Sequence, residues 1–508
     1  MAHYIALESL SGLGRWLCEG RTEGIMLGVA LLFFSAVVWA EEPVYPETSP
    51  DEEEFSWLEE ITEKVPPLKN DRGERWPMIL WDSVGSEPLS APVHRALLAR
   101  GIVQHIRMET KMIATAKALQ DAGAPVIMVE GRGGTWRYEL GGAECEWAHQ
   151  FEAGYAPESK RLHACPHRFA GYAARADSVR QILGAFKQAG VVVDAVWMDW
   201  EDDPYVPSTK GDLYEQASHC RRCRAELPPG ILDDEQSFLD YCWRLYQELN
   251  GAYLAGPALE VFPLCSVTNW MILYSTPERT ARHWTDRTLA PFIPPVFNAT
   301  NPVAYGNDKF WAAAWQDEFP LDREHVDQFY MHLMLRMISD DTANRQRYRP
   351  ETKSFPWVVR WCPDINDPKI PIMSREAYRE SLRHMWLRDV DGMQIFQPLR
   401  PDYQHIVVGE VYDAVAVYDE MLAYREFLDH GEVLCTEVPA LQDDGVVWSG
   451  LRLEDRAVVR AYTQSKGKVA FDIQPWPSTR VELAATDQGR TYLLKRVGNE
   501  VTVKDLGR

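Results

Sequence analysis

Between residues 77 and 428 the chain alternates short apolar runs with segments of helical spacing, and this alternation limits the fold more than any other feature. Residues 77–81, 102–106, 125–129, 191–200, 259–265, 291–297, 357–361 and 392–396 read as strands. Residues 92–100, 109–121, 172–188, 238–253, 323–339, 375–388 and 406–428 read as the helices between them. The strands are nearly continuous hydrophobic runs, as expected of parallel strands buried on both faces. Eight such strands alternating with helices close most economically into a barrel. From His430 the pattern changes to short strands at 446–448, 457–459, 468–473, 480–484 and 492–494, with turn residues between them. The expected fold class is therefore α/β, a (β/α)8 TIM barrel followed by a small C-terminal antiparallel β-sandwich. The expected organisation is a signal peptide at 1–40, an acidic Pro-rich linker at 41–70, the barrel at 71–430 and the sandwich at 431–508.

The first 40 residues predict the compartment. An apolar run at 25–40 follows Arg15 and Arg21 and closes with Val38-Trp39-Ala40. The run is short for a membrane span and fits a cleaved signal, with an uncleaved N-terminal anchor as the alternative. A secreted or periplasmic protein is expected, with no other membrane contact. Cys18 would leave with the signal. Cys145, Cys165, Cys220, Cys223, Cys242, Cys265, Cys362 and Cys435 remain, and an oxidising compartment permits disulfides among them. Cys220-Arg221-Arg222-Cys223 is half of a zinc-ribbon pattern, with His163, Cys165, His167 and His219 near it in sequence. A structural metal is one reading of that cluster; a disulfide or loop staple is the favoured one. No cofactor is expected.

The net charge of -22 argues against nucleic acid or an anionic membrane as the main partner. The 19 Trp and 21 Tyr suit a carbohydrate ligand, although most of them will serve packing. The oligomeric state is not legible.

The chemistry concentrates where the fourth predicted strand ends, at Asp199-Trp200-Glu201-Asp202-Asp203-Pro204. Asp199 and Glu201 are two apart, so an extended backbone projects them from one face. Neighbouring carboxylates can separate their pKa values, leaving one as an acid while the other stays charged. Barrels carry function at the C-terminal ends of their strands. The substrate-binding candidates there are Trp81, Asp82, Glu130, Arg132, Trp270, Asn298, Tyr305, Arg360, Trp361 and Gln394. Acids, aromatics and amides on one rim describe a sugar-binding cleft. The tryptophans serve equally as packing, Arg132 equally as a surface ion-pair partner, and Asp202 and Asp203 read as loop acids. Asp194 reads as structural.

Asp194-x-x-x-x-Asp199-Trp200-Glu201 resembles the fourth-strand signature D-x-x-D-x-D-x-E of chitinase-type glycoside hydrolases and the shorter D-W-E of hyaluronidases. Trp197 stands where the chitinase pattern has its middle Asp, which brings the chain nearer to hyaluronidases. Residues 355–360, 374–376 and 390–396 resemble the end of the hyaluronidase barrel, and the resemblance does not extend to the tail domain. It implies a glycoside hydrolase in which Glu201 is the general acid/base. Asp199 would steady a substrate N-acetyl group that attacks the anomeric carbon, with Tyr305 the nearest candidate to bind the acetamido oxygen. A substrate without N-acetyl would instead need a carboxylate nucleophile about 5–5.5 Å from Glu201, or a water-activating base further away. Glu130, Asp82 and Asp364 are candidates for that role. A non-catalytic glycan-binding barrel is the reading from outside the enzymes.

Overall fold

The computed structural model describes residues 56–81, 89–130, 149–157, 165, 170–198, 212–238, 241–242, 251–271, 297–306, 324–360, 372–396, 404–441 and 445–507. The expected signal peptide and the start of the linker lie outside these residues. Among the described residues no helix is long and apolar enough to cross a membrane.

The first ten strands are β1 (Met78–Leu80), β2 (Ile102–Gln104), β3 (Ile106–Arg107), β4 (Ile127–Glu130) and β5 (Ala195–Met198), then β6 (Ser266–Met271), β7 (Ala299–Tyr305), β8 (Lys353–Ser354), β9 (Trp357–Val359) and β10 (Gln394–Ile395). They form one parallel sheet in the order β2-β1-β10-β9-β7-β6-β5-β4-β3, with β8 beside β7. The paired order does not close on itself by a ladder. Its two ends, β2 and β3, are successive pieces of one stretch parted by His105. Through that stretch β2 pairs with β1 (Met78 opposite Ile102) and β3 with β4 (Ile106 opposite Met128). The sheet is strongly curled. Trp197 on β5 packs against Phe355 at the entrance to β9, ring centroids 4.9 Å apart, although β6 and β7 separate those strands in the sheet.

Helices α1 (Ser56–Lys64), α2 (Ala91–Leu98), α3 (Ile113–Asp121), α4 (Ala170–Gln188), α5 (Asp212–Ser218), α6 (Arg221–Glu226) and α7 (Gly256–Val261) precede α8 (Val326–Tyr348), α9 (Arg375–Trp386), α10 (Gln404–Leu422) and α11 (Arg425–His430). Local chemistry sets several of their ends. Ser374 caps α9 by accepting from the Ala377 amide at 3.1 Å. Gly101 and Gly190 take positive φ where the chain turns from α2 into β2 and from α4 towards β5. Trp197, Met128, Val196 and Phe355 share one buried core cluster with the first strands; Tyr330, Trp357, Trp386 and Tyr418 share another with α8, α9 and α10. Truncating so large a buried side chain as Trp197 costs about 3–5 kcal/mol.

The fifth and sixth predicted strands are displaced. Residues 259–265 were expected to be extended, but Gly256–Val261 is helical and the strand is Ser266–Met271. The sixth was expected at 291–297, of which only residue 297 is described; the strand observed in this region is Ala299–Tyr305. In both cases the real strand carries polar residues inward: Thr268, Asn269, Thr300 and Asn301 are all buried. A strand that buries Thr and Asn does not read as a hydrophobic run.

The C-terminal strands are β11 (Glu432–Val433), β12 (Val447–Leu453), β13 (Arg456–Tyr462), β14 (Lys468–Trp476), β15 (Thr479–Thr486), β16 (Arg490–Val497) and β17 (Glu500–Asp505). They pair antiparallel except for one parallel contact, Tyr462 to Thr486, where the β14–β15 hairpin joins β13. Ile473, Trp476, Val481 and Leu483 of that hairpin share a core with Ala457, Val459, Tyr492 and Leu494 of β13 and β16. This sheet is fixed to the helices by buried polar groups. Arg388, just past α9, donates to Ser449 Oγ (2.8 Å) and to the carbonyls of Trp448 (3.0 Å) and Glu437 (3.1 Å). Arg460 on β13 grips Glu380 on α9 with Nε at 2.8 Å and Nη2 at 2.6 Å.

Candidate functional site

The strand order divides the C-terminal rim of the parallel sheet into two arcs. One arc runs through β7, β9, β10 and β1 and is aromatic. Trp81, which follows β1, packs edge-on to Trp357 (4.6 Å) and His105 (4.4 Å). Phe396, which follows β10, lies 6.5 Å from Trp81 and 6.2 Å from Trp357, and stacks on Tyr305 at 5.2 Å. The ends of β1, β7 and β10, with Trp357 from the start of β9, thus bring Trp81 and Tyr305 into one cluster. Trp357, Tyr305 and His105 are buried, while Trp81 and Phe396 keep part of their surface open. Partly open aromatic faces on a rigid support are what a sugar ring stacks on. Burial pushes His105 down to about 3, so the ring is neutral, and neither nitrogen has a hydrogen-bond partner among the described residues.

The other arc runs through β4, β5 and β6. Glu130 ends β4 opposite Met198, and Met198 lies opposite Asn269 of β6. The next residue in the chain is Asp199. Asp199, Glu201, Asp82, Arg132, Trp361 and Asp364 lie outside the described residues, as do Asp202 and Asp203. Glu130 and Trp270 are described in backbone only, each at or next to the end of its strand.

Three expected rim residues have other tasks. Asn298 precedes β7 and therefore sits at the opposite end of that strand from the rim. Its Oδ1 accepts from the Val267 amide (2.7 Å) and its Nδ2 donates to the Cys265 carbonyl (3.0 Å), bracing the entry to β6. The displaced sixth strand explains its misplacement. Arg360 follows β9 as expected, but its backbone amide donates to buried Glu410 (3.0 Å), its guanidinium pairs with the same carboxylate, and Nη1 donates to the Met373 carbonyl (3.0 Å). Gln394 is wholly buried within the sheet and donates to the Phe355 carbonyl (2.9 Å). Asp194, read as structural, accepts from the Val126 amide at 2.8 Å.

A second constellation lies among the segments that follow β4 and β5. His149, Cys165, Cys220 and Cys223 are all buried, and their ligand atoms lie within 4.8 Å of one another. Cys165 Sγ is 3.6 Å from both Cys220 Sγ and Cys223 Sγ, and His149 Nδ1 is 3.5 Å from Cys165 Sγ and 3.6 Å from Cys223 Sγ. The two segments meet through a bridge between Phe151 and Cys220, with the Arg221 amide donating to the Gln150 carbonyl (2.8 Å) and the Glu152 amide to the His219 carbonyl (3.0 Å). Backbone amides of Gln150 (3.2 Å) and Cys223 (3.5 Å) point at Cys220 Sγ. Hydrogen bonds with Cys165 and Cys223 hold the Cys220 thiol well below its ordinary range; the bond with Cys220 pushes Cys165 up to about 12, and those with Cys165 and Cys220 push Cys223 up.

This arrangement corrects the reading of the cysteines. All six in the described residues, Cys165, Cys220, Cys223, Cys242, Cys265 and Cys435, are free thiols, so among them no disulfide forms where a disulfide or loop staple was favoured. Cys165 Sγ, at 3.6 Å from both Cys220 Sγ and Cys223 Sγ, is also well beyond the ~2.05 Å of a bond. Of the residues thought near them, Cys165 joins, whereas His219 turns away to pair with Glu152 at 2.6 Å. His163 and His167 lie outside the described residues. Sequence reasoning missed His149, which stands 16 positions before Cys165 and in no recognisable spacing.

No protein-family profile and no curated protein matches the chain. Among solved structures it is similar to the noncanonic maltogenic α-amylase AmyB from Thermotoga neapolitana, at TM-score 0.45 and 10% identity over 85% of this chain and 99% of that one. It is similar to trehalose-6-phosphate hydrolase from Bacillus licheniformis at TM-score 0.44 and 8% identity, over 83% and 99%. It is also similar to α-L-fucosidase isoenzyme 2 from Paenibacillus thiaminolyticus at TM-score 0.40 and 9% identity over 70% of this chain, which spans about half, 51%, of that enzyme. Scores and identities this low carry no argument about function. None of these three is a hyaluronidase or a chitinase, so that resemblance rests on the sequence motif.

Proposed function

We propose that the protein is an exported glycoside hydrolase whose curled sheet is a (β/α)8 barrel closed through residues 102–107. Glu201 is the general acid/base, and Asp199 stabilises a substrate-assisted N-acetyl intermediate. One observation carries the reading most. Trp197 on β5 is buried and reaches across the sheet to Phe355, so this strand turns its odd-numbered side chains Ala195 and Trp197 alternately with Val196 and Met198, and Trp197 faces the interior. Residues two apart share a face on extended backbone, so a strand continued past Met198 would project Asp199 and Glu201 from the same face as Trp197. Opposite them in the strand order lies the aromatic arc of Trp81, Phe396 and Tyr305, a surface suited to a polysaccharide or glycosaminoglycan-like chain.

The arrangement at β4 favours a second reading within the same class. Glu130 ends the strand next to β5, its backbone opposite Met198, and in this reading it is the separate nucleophile or base.

Purified protein assayed against a panel of defined glycans, beside Glu201→Gln, tests the assignment. Loss of about 10²–10⁴-fold in turnover with retained binding is expected of a missing general acid. Unchanged hydrolysis in Glu201→Gln overturns the assignment of the acid, and binding without hydrolysis by the unmodified protein marks a glycan-binding barrel. Asp199→Asn separates the enzyme schemes: the substrate-assisted one loses most activity on N-acetylated sugars, whereas the rival is disabled by Glu130→Gln.

A further inference from the structure

We infer that His149, Cys165, Cys220 and Cys223 form a closed, four-coordinate structural Zn²⁺ site that clamps together the segments leaving β4 and β5. The distances fit a tetrahedron around one ion. With Zn–S near 2.3 Å and Zn–N near 2.0–2.1 Å, tetrahedral edges come to about 3.8 Å between sulfurs and about 3.5 Å from nitrogen to sulfur. The observed values are 3.6 Å for two sulfur pairs and 3.5 and 3.6 Å for the nitrogen. The donor set of three thiolates and one imidazole is a common one for structural zinc, and sulfur-rich tetrahedral sites select zinc over harder cations.

The surroundings supply what such a site needs. Cys220 caps α6 with its sulfur, and two backbone amides point at that sulfur, an arrangement that stabilises thiolate rather than thiol. The ligands sit in their own apolar shell of Leu213, Ala217, Leu227 and Phe238, which excludes water. Cys242 is buried in the same shell but belongs to no ligand group among the described residues. Binding one Zn²⁺ by three thiols releases three protons and leaves the neutral imidazole as fourth ligand, so the ion supplies the positive charge that the cluster lacks.

The position gives the site its purpose. Cys220 and Cys223 lie beyond β5, while His149 and Cys165 lie between β4 and α4. These are adjacent strands of the parallel sheet; Glu130 ends one, and in sequence Asp199 and Glu201 follow the other. Four protein ligands leave no open position for a water, so the ion holds structure and takes no part in chemistry. The inference does not depend on the glycosidase reading, and metal content reports on it separately from activity.

Metal analysis of the full chain, purified without a metal-affinity tag and without chelator, tests the site. About one zinc per chain is expected, released by a mercurial that titrates thiols. Cys223→Ser and Cys165→Ser should lose that zinc, Cys242→Ser should keep it, and His149→Cys should retain it as a four-sulfur site. A folded, unmodified protein holding no zinc after purification in zinc-supplemented medium overturns the inference. So does iron in its place, or a disulfide among Cys165, Cys220 and Cys223 found by mass spectrometry under non-reducing conditions.

Discussion

Two of the buried polar clusters among the described residues balance charge in different ways. At the junction of α9 with the C-terminal sheet, Glu380 accepts from Arg460, is approached by Arg383 at 3.2 Å and lies 3.3 Å from His384. Arg460 also donates to Thr491 Oγ1 (2.9 Å), and Arg383 is shared with Glu420 (2.9 Å). Cations and anions alternate there, so the cluster needs nothing from outside. Burial alone would raise the Glu380 carboxyl, yet hydrogen bonds from His384 and Arg460 hold it well below the usual carboxylate range. The cluster of His149, Cys165, Cys220 and Cys223 has donors to a metal but no cation among its four members. The difference teaches which buried cluster is complete in itself and which implies a ligand.

The comparison can be broken first at its balanced half. Glu380→Ala strands Arg460 in the interior and should cost about 3–5 kcal/mol, the usual penalty for removing one partner of a buried pair. Denaturant titration of the variant measures it. Zinc content should be unchanged, since the two clusters share no residue. An effect below about 1 kcal/mol would mean that water already reaches the pair.

Acid sharpens the contrast in steps. Burial lowers His105 to about 3 and His94 and His332 to about 4, from an ordinary 6.5. Their folded forms refuse a proton that the unfolded chain accepts. Stability should therefore begin to fall as pH drops below about 6.5, by up to ~1.4 kcal/mol per pH unit for each histidine, and this contribution levels off near their folded pKa values. Glu380 acts later. Its folded pKa is depressed below 4.5, so its contribution is full above that value and lost as pH falls through the folded pKa. Thermal unfolding from pH 7 down to about 2 should show the histidine phase before the carboxylate one; a flat profile between 6.5 and 4.5 would contradict it.

The smallest expected effect separates ligand from neighbour. His219→Ala removes a half-exposed pair with Glu152 and should cost no more than about 1 kcal/mol, with zinc retained. Zinc lost from that variant, by metal analysis, would place His219 in the ligand set instead of His149.

Much of the parallel sheet was legible because strands such as Ile127–Glu130 and Ala195–Met198 bury both faces and read as unbroken apolar runs. Ser266–Met271 and Ala299–Tyr305 were not, because they turn Thr268, Asn269, Thr300 and Asn301 into the interior, while the apolar stretch before β6 forms α7. That shift moved Asn298 to the wrong end of its strand. Arg360 was placed correctly but its carboxylate partner Glu410, 50 positions on, has no signature in sequence. Trp81 follows β1 as expected and Tyr305 ends the displaced β7, whereas nothing in sequence marks His105, a histidine between two strand pieces. The cluster of three cysteines and a histidine was half legible. The spacing of Cys220 and Cys223 is local, but α4 and β5 separate them from Cys165 and His149, and the pairing around Phe151 and Cys220 that brings the halves together has no mark in sequence.

X-ray absorption at the zinc edge, on the intact protein in solution, tests the central claim that the unbalanced cluster is a metal site. Three sulfur scatterers at about 2.3 Å and one nitrogen at about 2.0–2.1 Å are expected. A first shell of nitrogen and oxygen only, or four sulfurs without nitrogen, would contradict the assignment of His149, Cys165, Cys220 and Cys223.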